Sequence, residues 1–382
     1  MRSEIKYAVL IALLVCSLNK ALPQSWSFEG QASGWLASNP EKSPLSQAGL
    51  RYIPQFTLDE ELVEGLNSDL EVALNAYATA NLAKGQSPRY DGTVKAYRGW
   101  FRVSSRTFEA RIGLQKLSFG SATMLRPLMW FDTIDPRDPL QMTDGVYGLL
   151  LRYYFLNNAN FWLWVLYGND ERKGWELTPT KQNSVEFGGR IQTPLSSGEG
   201  AISYHHREAD LSRLTSPSDT LTGSYAQENR IGLDGKWDVG PGVWFEAAII
   251  HLKTDLAAMR YQRQWTVGAD YRFDIGNGLS VLAEHMRFEN TSRLFAPAEG
   301  IGFSALSLTY SFGLVDRLSG ILYYDWTNAQ WYRMVTWQRT YDDWTLYLQG
   351  FWNPEIIRLY QNQASNNPFA GTGIRFMLVF NH

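Results

Sequence analysis

The sequence has only one cysteine, Cys16, and it has few charged residues. Cys16 lies in an N-terminal segment that we expect to be removed, which excludes disulfides, thiolate metal sites and a cysteine nucleophile from the mature chain. Charged residues make up 19% of the chain, against an average of about a quarter. The formal net charge is -3 and no lysine or arginine run occurs, so the charge pattern excludes a nucleic-acid partner.

Long hydrophobic runs are also missing. Beyond the N-terminus no stretch of about 18 or more apolar residues occurs, which excludes transmembrane helices. A chain of this kind that enters a bilayer must close into a barrel, because lipid cannot hydrogen-bond the backbone of an open sheet.

Catalytic and metal-binding patterns are absent as well. There is no Gly-x-Ser-x-Gly sequence of the kind that presents a serine nucleophile. The adjacent His205 and His206 point to opposite faces of a strand and cannot share a metal. We therefore predict no catalytic residue, no metal site and no cofactor.

The N-terminus has the order of a secretory signal. Arg2 and Lys6 precede an apolar run over residues 7–18, which is too short to span a bilayer comfortably. We predict a signal peptide over residues 1–24, with cleavage between residues 19 and 25. Residues 25–382 then form one outer-membrane domain.

Aromatic residues are abundant, at 14% of the chain with 15 Trp, 20 Tyr and 19 Phe. Membrane proteins place such rings at both lipid–water boundaries. Apolar and polar residues alternate without error over residues 264–274, as in a strand between lipid and an aqueous lumen. A soluble β-sandwich strand alternates in the same way, so one strand leaves both classes open.

The whole chain repeats this alternation, which predicts an all-β, antiparallel up-and-down transmembrane β-barrel. Candidate strands lie near 25–37, 46–58, 66–82, 93–105, 107–118, 144–156, 159–169, 183–194, 200–209, 226–238, 242–254, 262–274, 278–289, 303–313, 317–328, 331–341, 343–352 and 370–381. These segments number eighteen, or sixteen if two of them have been split from longer strands.

The connections alternate between short and long from the fourth strand onward. The long links lie at 119–143, 170–182, 210–225, 290–302 and 353–369, with two shorter exceptions near 255–261 and 328–330. Bacterial barrels have short periplasmic turns and long external loops, whereas a sandwich has no reason for such alternation. The last segment places Ile374, Phe376, Leu378 and Phe380 on one face, like the closing strand that barrel-assembly machinery recognises. We expect that machinery, periplasmic chaperones and outer-membrane lipid as partners.

One stretch carries a family resemblance. Residues 111–120 read Arg-x-Gly-x-Gln-x-x-x-Phe-Gly, and a long loop then leads to Asp-Gly-Val at 144–146. This resembles the alginate-export family of outer-membrane porins. The resemblance implies an eighteen-stranded barrel that conducts anions or polymers.

The polar strand faces predict the lining of the pore, with both signs of charge. The predicted pore-lining residues are Arg98, Arg102, Glu109, Arg111, Gln115, Arg152, Glu186, Arg190, Arg230, Glu246, Asp270 and Arg272. Charged rings of this kind set selectivity in channels. They equally fit a structural role, in which arginines pair with carboxylates and brace the wall.

The link at 119–143 contains five charges, and its segment 131–139 contains two stiffening prolines. The charges are Arg126, Asp132, Asp135, Arg137 and Asp138. One hypothesis is that this loop folds inward and constricts the pore. The alternative is an external cap, or a loop held by its own salt bridges. The aspartate spacing could suggest calcium, but Pro136 and Arg137 interrupt the cluster.

The sequence therefore predicts an outer-membrane porin through which small polar or charged solutes diffuse. An alternative is a structural or adhesive barrel that binds partners through its external loops. A third is an outer-membrane hydrolase, since chemistry can be built on many folds.

Overall fold

A computed structural model describes residues 25–40, 46–82, 87–212, 225–254, 259–355 and 369–382. The predicted signal peptide lies outside these residues. The described chain contains eighteen strands: β1 Ser25–Ser38, β2 Ser46–Val63, β3 Leu66–Leu82, β4 Arg89–Ser104, β5 Phe108–Gln115, β6 Val146–Tyr154, β7 Asn160–Tyr167, β8 Val185–Leu195, β9 Gly198–Asp210, β10 Tyr225–Asp238, β11 Gly242–Leu252, β12 Tyr261–Phe273, β13 Leu279–Thr291, β14 Gly300–Ser311, β15 Asp316–Asp325, β16 Gln330–Thr340, β17 Trp344–Trp352 and β18 Thr372–Asn381.

The strands form one closed antiparallel barrel. Each strand pairs with the next along the chain, and β1 pairs with β18 in a register that runs from Gln31↔Asn381 to Ser38↔Ile374. The backbones of Gly30 and His382 exchange two hydrogen bonds of 2.9 and 3.0 Å beside this seam. Closure leaves no unpaired sheet edge, as a lipid environment requires. The predicted eighteen-stranded barrel is confirmed.

Short and long links separate to the two ends of the barrel. One end carries the turns at 64–65, 105–107, 155–159, 196–197, 239–241, 274–278, 312–315 and 341–343, together with both strand termini. The other end carries the remaining links, of which residues 116–145 form the longest. Barrels of this type keep their short turns in the periplasm, so we refer to the periplasmic and extracellular ends on that basis.

The outer face of the barrel is an apolar belt. On β12, Trp265 and Val267 are 39% and 48% exposed. The alternate residues Gln264 and Thr266 are buried on the inward face. Aromatic side chains crowd the periplasmic end of the belt, as the ring pairs Tyr271–Phe273 and Tyr310–Phe312 show. An exposed apolar surface of this extent fits a protein surrounded by lipid. Among the described residues no helix is both long and apolar enough to cross a membrane.

Adjacent positions on β14 test the orientation of this belt. Leu306 pairs across strands with outward Ala283 and Leu322, whereas Ser307 faces the lumen. We expect Leu306→Arg to lower the free energy of unfolding by about 2–4 kcal/mol, because it places a charge in hydrocarbon near mid-strand.

Denaturant unfolding from lipid vesicles measures this cost, and Ser307→Arg is the matched control with the same new charge on the wet face. A penalty for Ser307→Arg as large as that for Leu306→Arg would contradict the assigned orientation.

Candidate functional site

The longest link, residues 116–145, lies inside the barrel instead of above it. Two carboxylates on the opposite wall hold its backbone. Glu246 on β11 accepts N–H groups from Ala122 at 2.9 Å and Leu128 at 2.5 Å. Glu284 on β13 accepts the three N–H groups of residues 123–125 at 2.6 to 2.9 Å. Hydrogen bonds to an ionised acceptor are stronger than neutral ones, so these five contacts fasten the loop across the lumen.

Apolar packing fastens the same part of the loop. Met124, Leu125 and Met129 lie in one buried cluster with inward side chains of β13 to β17. These wall residues are Met286, Phe288, Phe303, Ala305, Tyr323, Tyr332, Met334 and Phe351. One side of the lumen is therefore apolar, although the lumen of a channel is ordinarily polar. The loop covers this side, so its inward residues pack in a core and carry no charge.

A second extracellular link, residues 168–184, also reaches inward. The indole of Trp175 donates to the backbone oxygen of Arg126 at 3.1 Å, and the Gly174 N–H donates to the backbone oxygen of Asp132 at 3.2 Å. The two inward links therefore contact each other as well as the wall.

An ion cluster anchors this second link. Glu176 contacts the guanidinium groups of Arg230 at 2.6 Å and Arg207 at 3.1 Å. Both arginines also contact Glu228 on β10, each at 2.6 Å. All four side chains are buried, so each charge relies on its partners for the solvation that water would otherwise supply.

The five predicted loop charges differ in their surroundings. Arg126 makes a two-pronged contact with Asp132, at 2.9 and 3.1 Å, and Arg137 contacts Asp135 at 2.7 Å. These four charges thus pair within the loop, in agreement with the alternative that the loop is held by its own salt bridges. Asp138 has its pKa raised by burial, and Arg375 and Arg51 on the facing wall act in the opposite direction. Asp138 is the loop charge that faces wall arginines.

Four of the predicted pore-lining residues form one cluster on β4 to β6. Glu109 lies 3.0 Å from Arg111 and 3.7 Å from Arg152. Arg102 contacts Asp69 at 2.7 Å in the neighbouring strand pair. The side chains of Arg102, Arg111 and Arg152 keep exposed fractions of 30%, 15% and 17%, so solvent reaches this part of the lumen.

Aromatic rings support the arginines of this wall. Arg111 lies 4.5 Å from the ring centre of Trp100, and Arg152 lies 3.8 Å from that of Trp162. Arg51 lies 5.5 Å from the ring centre of Trp35. Cation–π contacts of this kind hold a guanidinium in place without neutralising its charge.

Other predicted pore-lining residues are committed to structural pairs. Arg190 makes two contacts with Asp234, at 2.6 and 2.9 Å. Glu186 contacts the buried His205 at 3.1 Å. Arg230 belongs to the ion cluster described above, and Glu246 binds the loop.

The remaining predicted residues form hydrogen bonds to the loop, between strands or at a periplasmic turn. Arg98 donates to the Thr143 oxygen at 3.1 Å and holds the end of the loop. Gln115 donates to the Gly148 oxygen at 3.0 Å between β5 and β6. Asp270 and Arg272 lie toward the periplasmic end, where Arg272 donates to the Asn277 oxygen at 2.8 Å. The structure therefore does not gather the twelve predicted residues into one ring.

Some residues of the site were not predicted from the sequence. Glu176 and Arg207 sit in the ion cluster, and Arg51 and Arg375 face Asp138. Strand alternation places Arg207 and Arg375 inward, and that signal could have found them. The Ser304 hydroxyl and His285 Nδ1, 2.9 Å apart on neighbouring strands of the outer face, could not be paired without knowledge of the register.

Solved structures match this architecture. Acinetobacter baumannii OccAB1 superposes with a TM-score of 0.55 at 8% identity, covering 94% of this chain and 95% of that one. Pseudomonas aeruginosa OccK5 (OpdH) gives a TM-score of 0.55 at 10% identity over 94% and 97% of the two chains. The likeness is one of fold, a closed antiparallel β-barrel. No family model matches the sequence, and no curated protein matches it either.

The attachment of the loop can be tested at the Glu284 carboxylate. Glu284→Gln replaces one acceptor oxygen by an N–H₂ group that faces backbone donors. We expect amide hydrogen exchange over residues 123–125 to speed up by roughly tenfold to a hundredfold, since a lost charged acceptor costs about 1.5–3 kcal/mol.

Exchange mass spectrometry of the folded protein in detergent provides the measurement. Glu199→Gln, at an exposed position near a periplasmic turn, is the control and should leave that exchange unchanged. Equal protection in Glu284→Gln and the parent protein would show that this carboxylate does not hold the loop.

Proposed function

We propose that this barrel is an outer-membrane diffusion channel for small polar or charged solutes, with a mild preference for anions. The passage runs between the inward loop and the wall formed by β18 and β1 to β6. Four arginines on this wall carry the proposal. They are Arg51, Arg111, Arg152 and Arg375, and the Nε donor of each is buried without a hydrogen-bond acceptor among the described residues.

A guanidinium group that no carboxylate neutralises favours an oxyanion in transit. Arginine presents its N–H groups in a planar fork that matches carboxylate and phosphate oxygens. Aromatic rings stabilise the cations, so an arriving anion does not have to displace a bound carboxylate from Arg51 or Arg375. At the level of the loop these two arginines face one carboxylate, Asp138.

The cluster on β4 to β6 is closer to neutral. Arg98, Arg102, Arg111 and Arg152 share this part of the wall with the carboxylates Asp59, Asp69, Glu71 and Glu109. Four cations therefore face four carboxylates here, and the positive excess of the wall comes from Arg51 and Arg375. Such mixed-sign walls orient polar solutes while their net sign biases which ions enter.

The resemblance to the alginate-export family stays a prediction at this point. An uninterrupted arginine lining would support a long acidic polymer as substrate. The carboxylates Asp69, Glu71 and Glu109 interrupt the lining here, which favours small solutes over a polyanion. During biogenesis we expect contact with periplasmic chaperones and the barrel-assembly machinery, as for other barrels with a closing strand of this kind.

One observation favours the alternative of a plugged barrel with a structural role. The two inward links are extensively buried, including nearly all of residues 124–132. A plugged barrel would not conduct ions in a planar bilayer, whereas the proposed channel gives discrete conductance steps.

We further propose that the protein is not a hydrolase. The Ser304–His285 pair is the arrangement that could suggest a hydrolase, but no carboxylate contacts His285 within the described residues. A serine–histidine pair normally needs a third group that orients the base. Release of fatty acid from phospholipid vesicles, lost in Ser304→Ala, would contradict this part of the proposal.

The anion preference predicts a charge-dependent reversal potential. In a planar bilayer with a potassium chloride gradient, the parent channel should favour chloride. The double variant Arg111→Ala/Arg152→Ala should shift the reversal potential toward potassium selectivity, because it removes two lumen cations beside Glu109.

Arg287→Ala is the control, since it removes an arginine from the outer face and should not change selectivity. A parent channel selective for potassium, or a double variant with unaltered selectivity, would refute the proposed role of the arginine wall.

A further inference from the structure

A group of arginine and aromatic side chains interrupts the apolar outer face near the extracellular ends of β12, β13 and β16. Arg263, Arg287 and Arg333 lie within four residues of those ends. Their outward orientation follows from the register, because Arg287 pairs with the exposed Trp265, and Arg333 pairs with the exposed Trp352. We call these three arginines, together with Trp326, the outer-rim patch.

The charges of the outer-rim patch do not balance. Glu289 contacts both Arg263 and Arg287, at 2.6 Å each. Arg333 has no carboxylate within ion-pair distance in the described part of the chain. Three cations therefore face one anion. Arg263 also donates to the backbone oxygens of residues 294 and 296, so Arg287 and Arg333 are the arginines available for a partner.

An exposed tryptophan lies between these arginines. Gly302 on β14, opposite Arg287 on β13, has no side chain and is buried. Beside it lies Trp326, which is 61% exposed and whose indole donates to the Ser304 hydroxyl at 2.8 Å. A Cβ at position 302 would contact Trp326 at 3.5 to 3.9 Å, so a larger side chain there would press against this indole.

This surface must face the membrane at the level of the outer-leaflet headgroups. A cation on a lipid-facing strand is costly in hydrocarbon but favourable where its side chain reaches a charged headgroup. Arginine binds phosphate through two parallel hydrogen bonds, and tryptophan prefers the same interfacial depth. The positive excess selects an anionic headgroup over a zwitterionic one.

We propose that the outer-rim patch is a binding site for the phosphorylated headgroup of an outer-leaflet glycolipid. Arg287 and Arg333 contact its phosphates, and the sugar lies against the exposed indole of Trp326. Arg287 and Arg333 are three strands apart, about 14 Å at the usual strand spacing, so they reach separate phosphates. The site lies on the outer face and is independent of the proposed channel function.

Native mass spectrometry of the folded protein tests the proposal with bisphosphorylated lipid A as the probe. We expect one tightly retained lipid A per barrel, and at least tenfold weaker binding in the double variant Arg287→Gln/Arg333→Gln. Arg339→Gln removes an outward arginine near the periplasmic end and should bind like the parent. Lipid A stripped of its phosphates should bind the parent at least tenfold more weakly.

A second variant guards against a general charge effect. Gly302→Leu displaces the Trp326 indole without altering charge, and we expect a fivefold or greater loss of affinity. Each variant should remain folded by its heat-dependent gel mobility and keep the parent conductance, which separates this test from that of the channel. Equal affinity across these variants, or equal binding of the dephosphorylated lipid, would overturn the proposal. So would equal binding of phosphatidylglycerol, because that result would indicate attraction to any anionic lipid.

Discussion

Two wall carboxylates, Glu246 and Glu284, hold the longest loop inside the barrel and so determine the shape of the lumen. Between them they accept five backbone N–H groups from residues 122–128, which are on the far side of the lumen from the strands that bear the loop. Backbone donors buried away from water need partners, and a carboxylate supplies two strong acceptors in a small volume. The Thr266 hydroxyl adds a hydrogen bond to the Leu125 oxygen at 2.7 Å, so β11, β12 and β13 all hold the loop across the barrel.

The position of the loop divides the lumen into two unlike sides. The side toward β13–β17 is apolar and packs against Met124, Leu125 and Met129. The side toward β1–β6 carries arginines stacked on aromatic rings and remains partly solvated. The selectivity that we propose depends on this division, because only the second side is left for solutes. The ion cluster around Glu176 strengthens the arrangement by holding the second inward link against the first.

The barrel itself could be predicted from the sequence because its determinants are local. A two-residue alternation, as in residues 264–274, requires only that each strand separate lipid from water. The link lengths then identified the two ends, and all eighteen segments are strands. Strand ends shifted by a few residues, for example at β5, which stops at Gln115 where the chain turns into the lumen.

The candidate site was less predictable because it depends on contacts between distant segments. Alternation placed Glu246 on the inward face correctly, but its hydrogen bonds to residues more than a hundred positions away have no sequence signature. The same holds for Glu176 with Arg207 and Arg230, which are joined by the folding of a link. Only the pairs Arg126–Asp132 and Arg137–Asp135 are close enough in sequence for the salt-bridge alternative to have been stated beforehand.

The most direct test of whether the loop narrows the lumen is the single-channel conductance of a variant that lacks residues 124–138. If the loop occupies the lumen and narrows the passage, its removal should raise the conductance severalfold over the full-length channel in the same salt. A shortened variant that folds and inserts but conducts like the parent would contradict the central claim.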